Sequence, residues 1–264
     1  MRKILVTTLG LLIIFIFPNY GFSLDQKYHE VVQYFIDCIK NNDRNGVIKL
    51  TALPYNSLKR HSPLPSIKTT DEFLQRYDEV FDKNIIEIIS NSDIDNDWET
   101  ANAGGYGAIM LKNGMIWLNT HGKIIAINYE SEVEKRKRFE LISEEKNKLH
   151  ISLQTFLEPV LEWKTKSYHI RIDKLDEWKY RYAVWPINKP SNEKPDLLLN
   201  NGELTFDGSC GNHQYDFKNG VYKYSCEVVV CGTDEDPPGY LEVYNKDRLI
   251  STEPVVEVIG HFLD

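Results

Sequence analysis

A cysteine and a histidine three positions apart are the first residues whose types suggest reactive chemistry. They are Cys210 and His213, in the run Gly208-Ser209-Cys210-Gly211-Asn212-His213. An imidazole beside a thiol can lower its pKa and leave a nucleophilic thiolate. The spacing works against this, because residues three apart on a strand project to opposite faces. A disulfide or a buried thiol is therefore the expected state of Cys210. Three cysteines with His213 match no closed zinc spacing, so no metal and no cofactor is expected.

Aromatic residues are the second candidate. Trp163, Tyr168, Trp178, Tyr180, Tyr182, Trp185, Tyr215, Tyr222, Tyr224, Tyr240 and Tyr244 crowd the chain from 149 to its end. Tyr and Trp combine contact area with a hydrogen-bonding tip, so Trp178, Tyr180, Tyr182 and Trp185 could form a platform for a glycan or a protein. Ordinary sheet packing competes with that reading, since aromatics favour strands. Arg171, Arg181, Asp173 and Asp176 are expected to be exposed cross-strand charges, each pair contributing little.

The start of the chain sets the compartment. Met1-Arg2-Lys3 is basic, Ile4 to Phe17 is apolar and uncharged, and Gly21-Phe22-Ser23 is small at its end. That is the pattern of a secretory signal peptide over 1–23. The apolar run falls short of the ~20 residues a spanning helix needs. The remainder carries 29 basic against 39 acidic residues once Arg2 and Lys3 are gone. This balance argues against nucleic-acid binding, which draws on clustered Lys and Arg. The first cysteine, Cys38, is too far from the cleavage point to carry a lipid. The expectation is an exported protein, periplasmic or extracellular, with no membrane insertion of the mature chain.

Export makes disulfides chemically reasonable. If Asn219-Gly220 is a two-residue turn, Cys210 lies opposite Val229, with Cys231 one diagonal step away on the same face and Cys226 on the other. That favours Cys210–Cys231, with Cys210–Cys226 as the alternative. Cys38, on the apolar face of the first helix, is expected to be a buried free thiol.

Organisation follows from periodicity. Tyr28, Val31, Val32, Phe35, Cys38 and Ile39 recur at helical spacing between Asp25 and Asn41. Thr69 and Glu72 form a capping box ahead of a helix through Phe73, Leu74, Tyr77, Val80 and Phe81. Ser90 to Asn102 reads as a polar loop. Three strand-like runs follow, Tyr106–Leu111, Met115–Asn119 and Lys123–Tyr129, separated by Asn113-Gly114 and His121-Gly122. Residues 131–148 read as a charged linker helix. From 149 to 264 the chain reads as short strands and turns, starting with a run from Val160 to Asp173. The fold class expected is α+β: N-terminal cone-like helices plus an antiparallel meander over 24–130, then an all-β sandwich or open barrel over 149–264.

The helix Tyr28 to Ile39, the run Phe73-Leu74-x-x-Tyr77-Asp78-x-x-Phe81 and the Gly107 to Trp117 hairpin resemble the nuclear transport factor two-like superfamily, over roughly 24–130. The resemblance implies a pocket between helices and a concave sheet. Tyr77, Asp78, His61, Trp117 and His121 are the residues it would offer for acid–base chemistry, with Tyr77 and Trp117 as ligand contacts. Each also has a plain structural reading: Tyr77 as core, Asp78 and His121 as solvated, His61 as part of a Ser-Pro-Leu-Pro loop. The superfamily includes enzymes and non-catalytic proteins, so the fold does not choose between them. The function expected is a non-enzymatic binding protein of the bacterial envelope, recognising a protein partner or a small ligand. A cone-fold enzyme and a glycan-binding module are the alternatives.

Overall fold

A computed structural model describes residues 23–51, 62–103, 106–208 and 210–260. The signal-peptide segment up to Phe22 and His61 lie outside the described residues. Contacts divide the chain into two compact units. The first takes residues up to 52 and 87–127, and the second takes 53–86 and 128 onward.

In the first unit, α1 (His29–Lys40) follows a 3-10 turn and buries Val32, Phe35, Ile36, Cys38 and Ile39. The apolar spacing of the sequence is thus the buried stripe. The Asp43 side chain accepts from the Gly46 amide at 2.9 Å and starts α2 (Arg44–Leu50). A four-stranded antiparallel meander follows, β1 (Trp98–Ala103), β2 (Tyr106–Leu111), β3 (Ile116–Asn119) and β4 (Ile124–Ile127). The polar loop expected over Ser90 to Asn102 is corrected here, because a short helix (Ile94–Asp97) and β1 occupy it. Asp93 caps that helix by accepting from the Asp95 and Asn96 amides. Buried Trp98 then pairs with Leu111 and meets Phe35 edge-on at 6.1 Å. One large apolar side chain among polar neighbours is too little period-two signal to read as a strand. The β2–β3 connection is also longer than a tight hairpin. Leu111 pairs with Ile116, leaving four residues, with Asn113 and Gly114 at positive φ.

The second unit holds two short helices in place of the one continuous helix expected, Thr70–Gln75 and Tyr77–Val80, interrupted at Arg76. Thr69 accepts from the Glu72 amide as foreseen, but Glu72 Oε2 accepts from the Lys68 amide. The 17-residue helix Glu132–Lys148, termed here the strut helix, starts at a full capping box between Ser131 and Glu134. Asp82 fixes its approach, accepting from the Glu132 amide at 2.9 Å and from the Tyr129 hydroxyl at 2.9 and 3.0 Å.

The β region is one nine-stranded, wholly antiparallel sheet curled into a half-barrel, so the open-barrel form of the expectation holds and the two-sheet sandwich does not. In chain order its strands are β5 (Glu158–Lys164), β6 (Tyr168–Lys174), β7 (Tyr180–Pro186), β8 (Leu197–Asp207), β9 (Asn212–Asn219), β10 (Tyr222–Val228), β11 (Gly239–Asn245), β12 (Arg248–Pro254) and β13 (Glu257–Gly260). They pair in sequence except β13, which crosses to the far edge beside β5. Only Val255 and Val256 separate β12 from β13. A connection this short between opposite edges requires the sheet to curl. The Val255 amide donates to Gly239 and the Val256 amide to Lys164, stitching the two edges at that end.

The single run expected from Val160 to Asp173 is two strands. The Thr165 hydroxyl accepts from the Ser167 and Tyr168 amides and makes the turn between them. Asn201-Gly202 is not a turn but lies inside β8, where the ring of Phe217 occupies the space a Cβ on Gly202 would need. The concave face holds the core: Trp163, Ile170, Ile172, Tyr180, Tyr182, Tyr215, Phe217, Cys226 and Leu241.

Candidate functional site

Period two sorts β5, β6 and β7 into two faces. Leu161, Trp163, Ile170, Ile172, Tyr180 and Tyr182 turn inward. Glu162, His169, Arg171, Asp173, Arg181, Ala183 and Trp185 turn outward, and all seven are buried. Their cover is the end of the strut helix and the turn after it, whose Leu149, Leu153 and Phe156 pack with Ala183 and Trp185.

The charges on this face form one connected network. His169 Nε2 lies 2.6 Å from Glu162 Oε1. Arg171 Nη1 donates to Glu162 Oε2 at 2.8 Å and to Glu145 Oε1, from the strut helix, at 2.9 Å. Arg171 Nε donates to Asp173 Oδ1 at 2.8 Å. Arg181 Nη2 donates to Asp173 Oδ2 at 2.5 Å and to the Leu153 carbonyl at 2.6 Å, and its Nη1 to the Thr155 carbonyl at 3.1 Å. The ring of Phe156 lies against both guanidiniums, 5.4 Å from Arg171 and 5.6 Å from Arg181. Burial pushes the Glu162 carboxyl up, but His169 and Arg171 outweigh it and hold Glu162 below its ordinary value. Burial works against the Arg171 cation too, and Asp173, Glu162 and Glu145 overcome it.

This is a correction to the sequence reading. Arg171, Arg181 and Asp173 are not exposed charge pairs, and only Asp176 is exposed, 3.5 Å from Lys179. His169-Ile170-Arg171-Ile172-Asp173 alternates as a solvated strand does, so nothing local signals burial. The usable signal lay elsewhere, in the apolar trio Leu149, Leu153 and Phe156 after the charged helix. Chemically the network is a clamp. Its carboxylates are engaged by guanidiniums or His169, an arrangement that ties the strut helix to the sheet.

The residues singled out from sequence are scattered. Tyr77 is buried in the second unit, 5.8 Å from the ring of Phe73 and stacked on Phe81 at 5.2 Å. Asp78, next to it, is exposed. Trp117 is half-buried in the first unit, its indole lying over Gly114. His121 is exposed in the β3–β4 turn, its amide donating to Asn119. The proposed aromatic platform is not one surface. Tyr180 and Tyr182 point into the half-barrel, against Tyr215 at 4.9 Å and Phe217 at 5.2 Å. Trp185 is buried on the opposite face, donating to the Glu193 carbonyl at 2.9 Å. Trp178 alone is exposed, at 77%. The shared parity of Tyr180 and Tyr182 was legible, but which face the curl would enclose was not.

Cys210 is bonded to Cys231, with Cα atoms 6.0 Å apart, and so offers no nucleophile. The register explains the pairing. Asn219 pairs with Tyr222, so the turn is Gly220-Val221, with Gly220 at φ 59°, one residue later than expected. Continued along the ladder, this places Cys210 opposite Cys231 directly, without a diagonal. Cys38 and Cys226 are free and buried.

Among the described residues, two accessible features stand out. A shallow groove on the first unit is lined by His29, Glu30, Gln33, Tyr34, Asp37 and Ile94. On the second unit, β12 has a neighbour on one side only, and Leu249 and Ile250 on it are 45% and 53% exposed. A β-bulge between Val243 and Tyr244 of β11 leaves Ile250 without a paired residue. Among the described residues, no helix is long and apolar enough to cross a membrane. Compared with family models, curated proteins and solved structures, the chain has no match in any of the three.

Proposed function

We propose that this is an exported, non-enzymatic binding protein of the bacterial envelope, periplasmic or extracellular, and that it takes an extended segment of a protein partner onto the free edge of β12. The observation that carries the reading is that edge: β12 has one neighbour strand and exposed apolar side chains, and only its far end, where Glu253 accepts from the Ser167 amide, is tied to the opposite edge. A row of outward backbone N–H and C=O groups is complementary to another strand above all other ligands. Export is supported by the leader-like start and by a disulfide, which forms in oxidising compartments. The non-catalytic part is supported by the burial of Tyr77, the exposure of Asp78 and the mutual neutralisation of the Glu162–Arg171–Asp173 network. We further propose that residues 24–130 form a relative of the cone-fold superfamily, on the strength of α1 and the meander.

The test is a photo-crosslinker placed at Ile250 or, as a control, at Glu203, in the chain expressed in its native envelope. Adducts at 250 alone, mapping to an extended partner segment whose synthetic peptide binds the protein, are expected. Ile250→Lys should lower that peptide's affinity at least tenfold. Equal labelling at both positions, or unchanged affinity in the variant, would sink the proposal.

A further inference from the structure

The four cysteines occur in the order Cys38, Cys210, Cys226, Cys231, and the bond joins the second to the fourth. It skips Cys226, which is wholly buried on the concave face, paired across the ladder with Tyr215 and Leu241. The skipped thiol is the nearer partner for both of the others. Cys226 and Cys231 are separated by 5 positions and Cys210 and Cys226 by 16, against 21 for the native pair. Loop closure alone favours the shortest pair over the native one by about ninefold in the unfolded chain. When the chain crosses a membrane from its N-terminus, Cys226 also reaches the far side five positions ahead of Cys231 and so meets Cys210 first.

We infer that Cys226 is a transient, non-native disulfide partner during folding, and that this chain is a substrate of a dithiol–disulfide isomerase. The first step is an oxidation. Cys226 and Cys231, or Cys210 and Cys226, give two protons and two electrons to a disulfide of the oxidant, which leaves as two thiols. The rearrangement after it is redox-neutral. For Cys226–Cys231, an isomerase thiolate attacks the Cys231 sulfur, the bond to Cys226 breaks, and Cys226 leaves and is protonated. The Cys210 thiolate then attacks Cys231 and displaces the isomerase thiolate. A chain trapped with Cys226 bonded cannot seat that residue between Tyr215 and Leu241, so its apolar sheet face stays open to such a catalyst. Once the sheet closes, burial raises the Cys226 thiol far above its ordinary value and makes it inert.

The inference needs an oxidising compartment and so shares the export part of the functional proposal; refolding in vitro separates the two. The reduced, denatured chain from Leu24 onward is refolded in a glutathione redox buffer, with and without a purified dithiol–disulfide isomerase. Disulfides are trapped by alkylation and mapped as peptides. Bonds containing Cys226 should dominate early, and the isomerase should speed the appearance of Cys210–Cys231 severalfold. Cys226→Ala should form the native bond directly and lose the isomerase effect. If that variant fails to fold, Cys226→Ser and the wild-type time course decide the matter. Cys210–Cys231 as the first bond in the wild type, or no acceleration by the isomerase, would overturn the inference.

Discussion

Asp173 and Arg181 face each other across β6 and β7, Oδ2 to Nη2 at 2.5 Å, with side chains 0% and 4% exposed. Arg181 also holds the carbonyls of Leu153 and Thr155, so this one pair ties the covering turn to the sheet. Removing Arg181 leaves Asp173 with Arg171 alone and strips the Leu153 and Thr155 carbonyls of their donor, a loss at the lower end of the about 3–5 kcal/mol that breaking a buried pair costs. Arg181→Met should therefore lower unfolding stability by that order in urea titrations. Asp176→Ala, which breaks an exposed contact to Lys179 and a bond from the Trp178 amide, should cost about 1 kcal/mol or less.

Glu162 predicts the acid response. Its folded value lies below the ordinary 4.5, because His169 and Arg171 favour the carboxylate more than burial opposes it. A lowered carboxyl contributes stability that is present above the unfolded value and lost as pH falls through the folded one. The wild type should therefore lose stability from pH 4.5 downward, and Glu162→Gln, less stable at pH 7, should lose less over the same interval. Denaturant midpoints at pH 7, 4 and 3 for both proteins measure this. Parallel curves would show that Glu162 is not the group responsible.

The Cys210–Cys231 bond spans 21 positions. In the chain-entropy model a loop of that size is worth about 3 kcal/mol, acting on the unfolded chain. The double variant Cys210→Ser with Cys231→Ser should lose about that much in guanidinium unfolding, with the circular dichroism of the sheet retained. Adding a reductant to the wild type should reproduce the loss and leave the double variant unchanged.

Gly239 opens β11 at the stitched end of the half-barrel. A Cβ there would sit 2.3 Å from the Glu227 carbonyl oxygen and 2.6 Å from the ring of Trp163. The first neighbour is backbone and cannot swing away, so Gly239→Ala forces the strands apart. Overpacking of this kind costs about 1–3 kcal/mol. Thermal unfolding should show a lower midpoint, with Trp163 fluorescence shifted toward that of an exposed indole.

What the sequence determined was local. The stripe on α1, the cap at Thr69, the meander and the run of short strands all follow from apolar period and turn chemistry, and those act between near neighbours. The preference for Cys210–Cys231 was legible too, though the turn that aligns them lies one residue later than Asn219-Gly220 suggests. Tertiary structure alone decided which sheet face would be enclosed. Tyr180 and Tyr182 share a face whether that face is wet or dry, and Arg171 alternates with Ile170 and Ile172 in either case. Burial of Arg171 and Asp173 depends on Glu145 and Phe156 arriving from outside the sheet, and enclosure of Tyr180 and Tyr182 on β13 crossing to β5. Such contacts join residues far apart in the chain, and a pattern read over a few positions cannot carry them.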